Sequence, residues 1–191
     1  MIAGLILAAG EGTRFGSEPK LLAELDGRPL LERAIRAQCS VPELERVVVV
    51  LGAYAEELLE QVDFMRAEPV ACERWREGQA ASLRRGVEEL SGAEKLIVTL
   101  GDQPLITGEV VARFLREPPG ARAVYRGRPG HPVVLGADHL HAVMSLTGDH
   151  GARGLLHGGP EIELAGIGDL ARDVDTPEDL EAIRNEARAV L

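Results

Sequence analysis

The stretch IAGLILAAGEGTRFGSEPK, residues 2–20, opens with a nearly unbroken apolar run and then places Gly10, Gly12 and Gly16 between it and two separated cations, Arg14 and Lys20. A continuous apolar run of this length reads as a strand buried on both faces. Two more such runs follow, RVVVVLG at 46–52 and KLIVTLGD at 95–102. Amphipathic stretches separate them, with helices predicted over 30–38, 55–61, 80–90 and 109–115. Strands that are apolar on both sides and alternate with helices specify a doubly wound α/β fold with a mostly parallel sheet. At 191 residues the chain has the size of one such domain. The segment YRGRPGHPVVLG (125–136) breaks the alternation and predicts a small antiparallel insertion beside the sheet, placed to wall a substrate site. In DTPEDLEAIRNEA (175–187) Thr176 is an N-cap, Pro177 fits the first helical position and Asp179 can close a capping box.

Composition narrows the function classes. A net charge of -10 argues against nucleic acid or an anionic membrane as the main partner, because both select basic surfaces. Cys39 and Cys72 have no paired spacing, which fits buried, reduced thiols in a cytoplasmic protein. The apolar start is too short to span a bilayer and lacks a basic flank. The histidines show no zinc-ligand spacing.

Ligands of open α/β sheets bind beyond the carboxyl ends of the strands, where the Gly-rich loop falls. Glycines allow backbone N–H groups to converge on phosphate oxygens, and Arg14 and Lys20 can neutralise the remaining charge. The same residues are also compatible with a tight connection carrying solvated cations. Phe15 stands where the dinucleotide fingerprint G-x-G-x-x-G requires glycine, and no G-K-[ST] ends the loop as in a P-loop. Asp102, just past an apolar strand, suits a divalent metal ion, as does Asp175 before the last helix, although turn and helix-start chemistry would select the same residues.

The pattern L-A-A-G-x-G-T-R-x-G-x-x-x-K resembles the signature loop of MobA/MocA-like NTP transferases. The strand-end GDQP and the late D-x-D-T-P-E-D-L are similar to the molybdenum cofactor cytidylyltransferase branch. WREGQAASLRRGV (75–87) resembles its W-x-x-G-M-x-S-S-L-x-x-G segment. GRPGHPVVLG and TGDHGARGLL also look like that branch, so the matched segments run in family order over residues 5–180. The resemblance implies a Rossmann-like nucleotidyltransferase fold. It implies that Leu7, Ala8, Ala9, Gly10 and Gly12 line the nucleotide with Gly78 and Ser82 against its base. Arg14 and Lys20 then lie on the phosphates, and Asp102 and Asp175 bind Mg²⁺, with Asp173 nearby. Lys20, Arg14 and Asp102 are the catalytic residues so implied, and His131, Asp149 and Arg153 edge the pocket of the second substrate. His131 also suits a structural turn before Pro132, and Arg84 and Arg85 suit a solvated helix face.

The implied reaction joins the NMP part of an NTP to a phosphorylated acceptor with loss of pyrophosphate. CTP and a molybdopterin cofactor are favoured, because Ala9 stands where the guanylyl branch tends to have glycine. A molybdoenzyme or its chaperone is the protein partner this would imply. Gln79, Ala81 and Cys72 depart from the family's usual Met, Ser and Asn. Transfer to a sugar phosphate or other small phosphate, and a non-catalytic nucleotide-binding role, are the alternatives.

Overall fold

The computed structural model describes residues 1–164 and 172–189. The strands are β1 (Ile2–Ala8), β2 (Glu24–Leu25), β3 (Arg28–Pro29), β4 (Arg46–Leu51), β5 (Glu68–Ala71), β6 (Lys95–Leu100), β7 (Arg122–Tyr125), β8 (Arg128–Gly136) and β9 (Glu161–Glu163). The helices are α1 (Leu30–Cys39), α2 (Ala55–Gln61), α3 (Gln79–Glu89), α4 (Gly108–Phe114), α5 (Ala137–Val143) and α6 (Pro177–Ala189). Seven strands among the described residues form one sheet in the order β5-β4-β1-β6-β8-β7-β9, and β2 pairs with β3 in a separate hairpin. β4, β1 and β6 run parallel, as the three apolar runs predict, and β5, not predicted from the sequence, adds a fourth parallel strand beside β4.

Side-chain alternation divides the core between the two faces of the sheet. Ile6, Ala8, Val47, Val49 and Ile97 meet Leu31 and Ile35 of α1, Leu58 of α2 and Phe114 of α4 on one face. Ala3, Leu5, Val48, Val50, Leu96 and Val98 meet Leu83 and Val87 of α3 and Val143 of α5 on the other. Gln38, fully buried, ties α1 to the sheet by donating to Leu5 O, Ile97 O and, at 2.8 Å, Thr99 Oγ1.

The antiparallel segment lies within the sheet rather than beside it. β8 pairs antiparallel with β6 in the register Val98↔Val133, so the amino-terminal half of β8 reaches the edge where the parallel strands end. That direction reversal carries His131 to the site edge. No helix among the described residues is long and apolar enough to cross a membrane. Of the two free cysteines Cys72 is buried, whereas Cys39 is only partly so and its thiol pKa is pushed up by desolvation.

The last helix starts as its sequence predicts. Asp179 N donates to Thr176 Oγ1 at 3.2 Å, and Thr176 N donates back to Asp179 Oδ2 at 2.8 Å. This box orients α6 so that Leu180 and Ile183 pack with Leu25, Leu30 and Val174. Thr176→Ala is expected to lower stability by about 1 kcal/mol in urea denaturation, the usual effect of losing an N-cap. An unchanged midpoint would show that the cap is not limiting.

Candidate functional site

Three chain segments converge at the carboxyl edge of the sheet: the loop after β1, the turn into α3 and the residues after β6. Together with Asp149 they enclose a cleft of about 410 Å³ lined by Leu7, Ala9, Gly10, Gly78, Ser82 and Asp102. Alternation decides which side chains of the first loop reach it. Ala9 faces the cleft, whereas the Ala8 methyl packs with Leu21 and Leu31 on the opposite face, so Ala8 is a core residue and not a cleft residue. Gly12 is likewise absent from the cleft wall. Its backbone lies over the Lys20 stem, where an added Cβ would sit 3.2 Å from Lys20 Cβ.

Lys20 is 8% exposed, and its ammonium group is held between two carboxylates. Nζ donates to Asp102 Oδ2 at 2.7 Å and to Asp175 Oδ1 at 3.3 Å. Arg14, on an exposed short turn, pairs with Asp175 Oδ2 at 2.9 Å. These four residues, spread from position 14 to 175, therefore form one charge cluster, which meets the cleft wall at Asp102 while Arg14, Lys20 and Asp175 lie behind it. Asp102 Oδ1 is buried without a hydrogen-bond partner. An orphaned oxygen on a carboxylate whose other oxygen shares an ammonium group with a second carboxylate fits a hard divalent cation, which commonly takes one or two carboxylates and completes its shell with phosphate oxygens and water. Among the described residues no group of three or more His, Cys, Asp or Glu could hold a metal ion, so such an ion would need the ligand's own oxygens.

A second cleft of about 640 Å³ adjoins the first, and Leu7, Gln79, Leu100 and Asp149 line both. His131 and Arg153 face it, together with Gln103 and Asp173. Gln103 is 3% exposed and donates to Asp173 Oδ1 at 2.7 Å. The Asp173 carboxyl is pushed up in pKa by desolvation and then by the charge of Asp102. Burial, with a smaller contribution from Arg153, pushes the His131 imidazole down to about 4. His131 is thus neutral at pH 7, and its carbonyl accepts from Tyr125 Oη at 2.6 Å.

Because the unfolded imidazole titrates near 6.5, His131 favours the folded state above that pH, and this contribution is lost as pH falls towards 4. Between pH 7 and 4.5 the wild-type protein should lose about 2 kcal/mol more stability than His131→Gln in urea denaturation. Parallel pH profiles for the two proteins would place the imidazole in a solvated setting.

The wall between the clefts is the segment 147–151 docked on the start of α3. Ala80 N donates to Gly148 O at 3.0 Å. Gly78 has φ +107, and a Cβ there would come within 2.6 Å of Asp149 Oδ1 and closer still to the Gly148 carbonyl group. Its glycine is thus required for Asp149 to stand between the clefts.

Arg84 and Arg85 are not a freely solvated face. Arg84 donates to Leu146 O, and Arg85 pairs with Glu89 at 2.9 Å. Sequence reasoning passed over Gln103, Trp75 and Arg76 as site residues. Trp75 and Arg76 stack at 4.4 Å at the mouth of the smaller cleft. A signal existed for Gln103, which directly follows Asp102.

Several known proteins are similar to this chain. Nicotine blue oxidoreductase of Paenarthrobacter nicotinovorans is 33% identical over 193 residues, covering 94% of each protein. The bifunctional protein GlmU of Rhodospirillum rubrum is 38% identical over 141 residues, which are 70% of this chain and 30% of that protein. Among solved structures, Rv0371c of Mycobacterium tuberculosis superposes with a TM-score of 0.85 at 25% identity, covering 96% of this chain and 97% of the other. A nucleotidyl transferase of Methanothermobacter thermautotroptrophicus superposes with a TM-score of 0.81 at 26% identity, over 100% and 99% of the two chains. Residues 4–164 match the MobA-like NTP transferase domain, a span that holds the Gly-rich loop, Asp102 and both clefts' shared wall, and the chain belongs to that family.

Proposed function

We propose that the protein is a divalent-metal-dependent nucleotidyltransferase that joins the NMP part of an NTP, with CTP favoured, to a phosphorylated acceptor of molybdopterin type. The observation that carries this reading is the placement of Lys20 Nζ between Asp175 and Asp102, the latter lining a cleft that shares one wall with a second cleft.

In this reading the loop N–H groups and Gly10 cradle the triphosphate, and Lys20 and Arg14 move onto its phosphate oxygens. Ser82 and the Gly78 turn lie against the base. Asp102 and Asp175 would hold Mg²⁺, whose role is to neutralise charge developing on the phosphates. An acceptor phosphate oxygen attacks the α-phosphorus, the bond to the β-phosphate oxygen breaks, and pyrophosphate departs. The nucleophile is already ionised, so the chain's work is positioning and charge stabilisation without a general base. Arg153 offers the acceptor phosphate a cation, while His131, neutral at pH 7, and Asp149 offer hydrogen bonds. A manganese complex of the mycobacterial Rv0371c, 23% identical, supports a divalent ion in this fold.

Two other readings have their own support. The GlmU relatives, and a 2-C-methyl-D-erythritol 4-phosphate cytidylyltransferase of Thermobifida fusca that is 31% identical over 142 residues, favour a small phosphorylated acceptor. The relative named as an oxidoreductase reopens hydride transfer, which the broken G-x-G-x-x-G pattern had argued against. The Lys20 cluster favours phosphoryl chemistry over it, since two carboxylates beside a lysine suit a divalent ion on a polyphosphate, an ion that hydride transfer does not need. Pyrophosphate release, measured with CTP, GTP, ATP and UTP in Mg²⁺ with molybdopterin cofactor or with sugar phosphates, decides among them. CTP-selective release that requires the molybdopterin supports the proposal. Release with a sugar phosphate alone replaces the acceptor. No release, with NADH or NADPH oxidised by a heteroaromatic acceptor, replaces the reaction.

A further inference from the structure

We infer that Lys20 and Arg14 keep the two metal-binding carboxylates closed until a triphosphate draws the cations away, so that the divalent ion and the nucleotide bind as a coupled pair. This rests on the nucleotidyltransferase reading. Three of the four oxygens of the carboxylate pair are engaged by cations. Lys20 Nζ takes Asp102 Oδ2 and Asp175 Oδ1, and Arg14 takes Asp175 Oδ2, at 2.7, 3.3 and 2.9 Å. The fourth, Asp102 Oδ1, is buried without a partner. An ammonium group at those distances occupies the space between the carboxylates that a metal ion at about 2.1 Å from its oxygens would need. The protein supplies too few further ligands to offset that competition, since among the described residues no group of three or more His, Cys, Asp or Glu could hold a metal ion.

A triphosphate changes both terms. Its oxygens offer Lys20 and Arg14 better partners than two carboxylates, and the same oxygens complete the metal shell. The loop has room for the exchange, because Arg14 is 71% exposed and neither Gly10 nor Gly16 has an atom within 4 Å of where a Cβ would be. Coupling of this kind is reciprocal, so the ion must strengthen nucleotide binding by the factor by which the nucleotide strengthens the ion.

The test is titration of Mn²⁺ into the full chain by calorimetry, alone and with α,β-methylene CTP or α,β-methylene GTP. The wild-type protein should bind Mn²⁺ weakly alone and on the order of tenfold or more tightly with an analogue. Lys20→Met should tighten Mn²⁺ binding alone by a similar factor. Arg14→Gln, at an exposed position that leaves folding intact, should do so to a smaller degree and reduce the coupling; circular dichroism verifies both folds. Equal Mn²⁺ affinity in the wild type and both variants overturns the ion-pair lock. Failure of both analogues to bind the wild-type protein in Mn²⁺ overturns the nucleotidyltransferase reading instead.

Discussion

Asp102→Asn should lower pyrophosphate-releasing turnover by about 10²–10³-fold, the effect of removing one electrostatic stabiliser from a phosphoryl-transfer site. The substitution keeps the size of the side chain and the backbone bond from Val174 N to Asp102 O at 3.0 Å, so the segment leading into Asp175 stays docked. What it removes is the charge paired with Lys20 at 2.7 Å and with it the metal ligand that the proposed function assigns to Asp102. Turnover should fall far more than nucleotide affinity, because binding retains the loop N–H groups, Lys20 and Arg14. Steady-state pyrophosphate release and a thermal melt measured together separate the chemical effect from unfolding. Turnover within tenfold of the wild type, on an intact fold, would remove Asp102 from the reaction.

The largest expected effect on stability belongs to Gly78→Ala, at about 2–4 kcal/mol. Two terms add. The backbone there has φ +107, outside the range L side chains favour, and the new methyl would press on the Gly148 carbonyl group, which is main chain and cannot swing aside. Relief requires the segment 147–151 to lift from the start of α3. Such movement breaks the Ala80 N to Gly148 O bond and withdraws Asp149 from the wall shared by both clefts. The KM of the acceptor should therefore rise along with the loss of stability. Gly10→Ala is the control, since open space surrounds its position and its urea midpoint should barely change. If Gly78→Ala denatured at the same urea concentration as the wild type, the 147–151 segment would not be seated as described.

The proposed function needs an anion site on a chain of net charge -10, and the placement of its cations is what would supply one. The relevant cations are few and local. Lys20 is buried against two carboxylates, Arg14 sits on the glycine loop, and Arg153 faces the second cleft. Asp102 and Asp175 hold Lys20 and Arg14 in place, so this cluster is nearly neutral despite its content of charge.

β1, β4 and β6, helices α1 to α4 and the capped start of α6 were legible in the chain as written, because each depends on neighbours within a few residues, whereas the short strands β5 and β9, the β2–β3 hairpin and α5 were not. Apolar runs with β-branched side chains make buried strands, and 3.6-residue patterns make helices. Thr176 and Asp179 meet across one helical turn. Lys20 and Asp102 stood out for the same reason, one ending a glycine loop and the other a strand. Their union with Asp175 was not written in any local pattern, since Lys20 and Asp175 are 155 positions apart and meet only because β1 and β6 are adjacent and the segment before α6 returns beside them. Nor did the sequence reveal that Ala8 turns into the core while Ala9 faces the cleft, or that the predicted antiparallel segment is an inner strand of the main sheet, β8 lying between β6 and β7. Local periodicity states that a residue is buried or exposed. Strand order, direction and register, which arise from packing distant segments into one sheet, state against what.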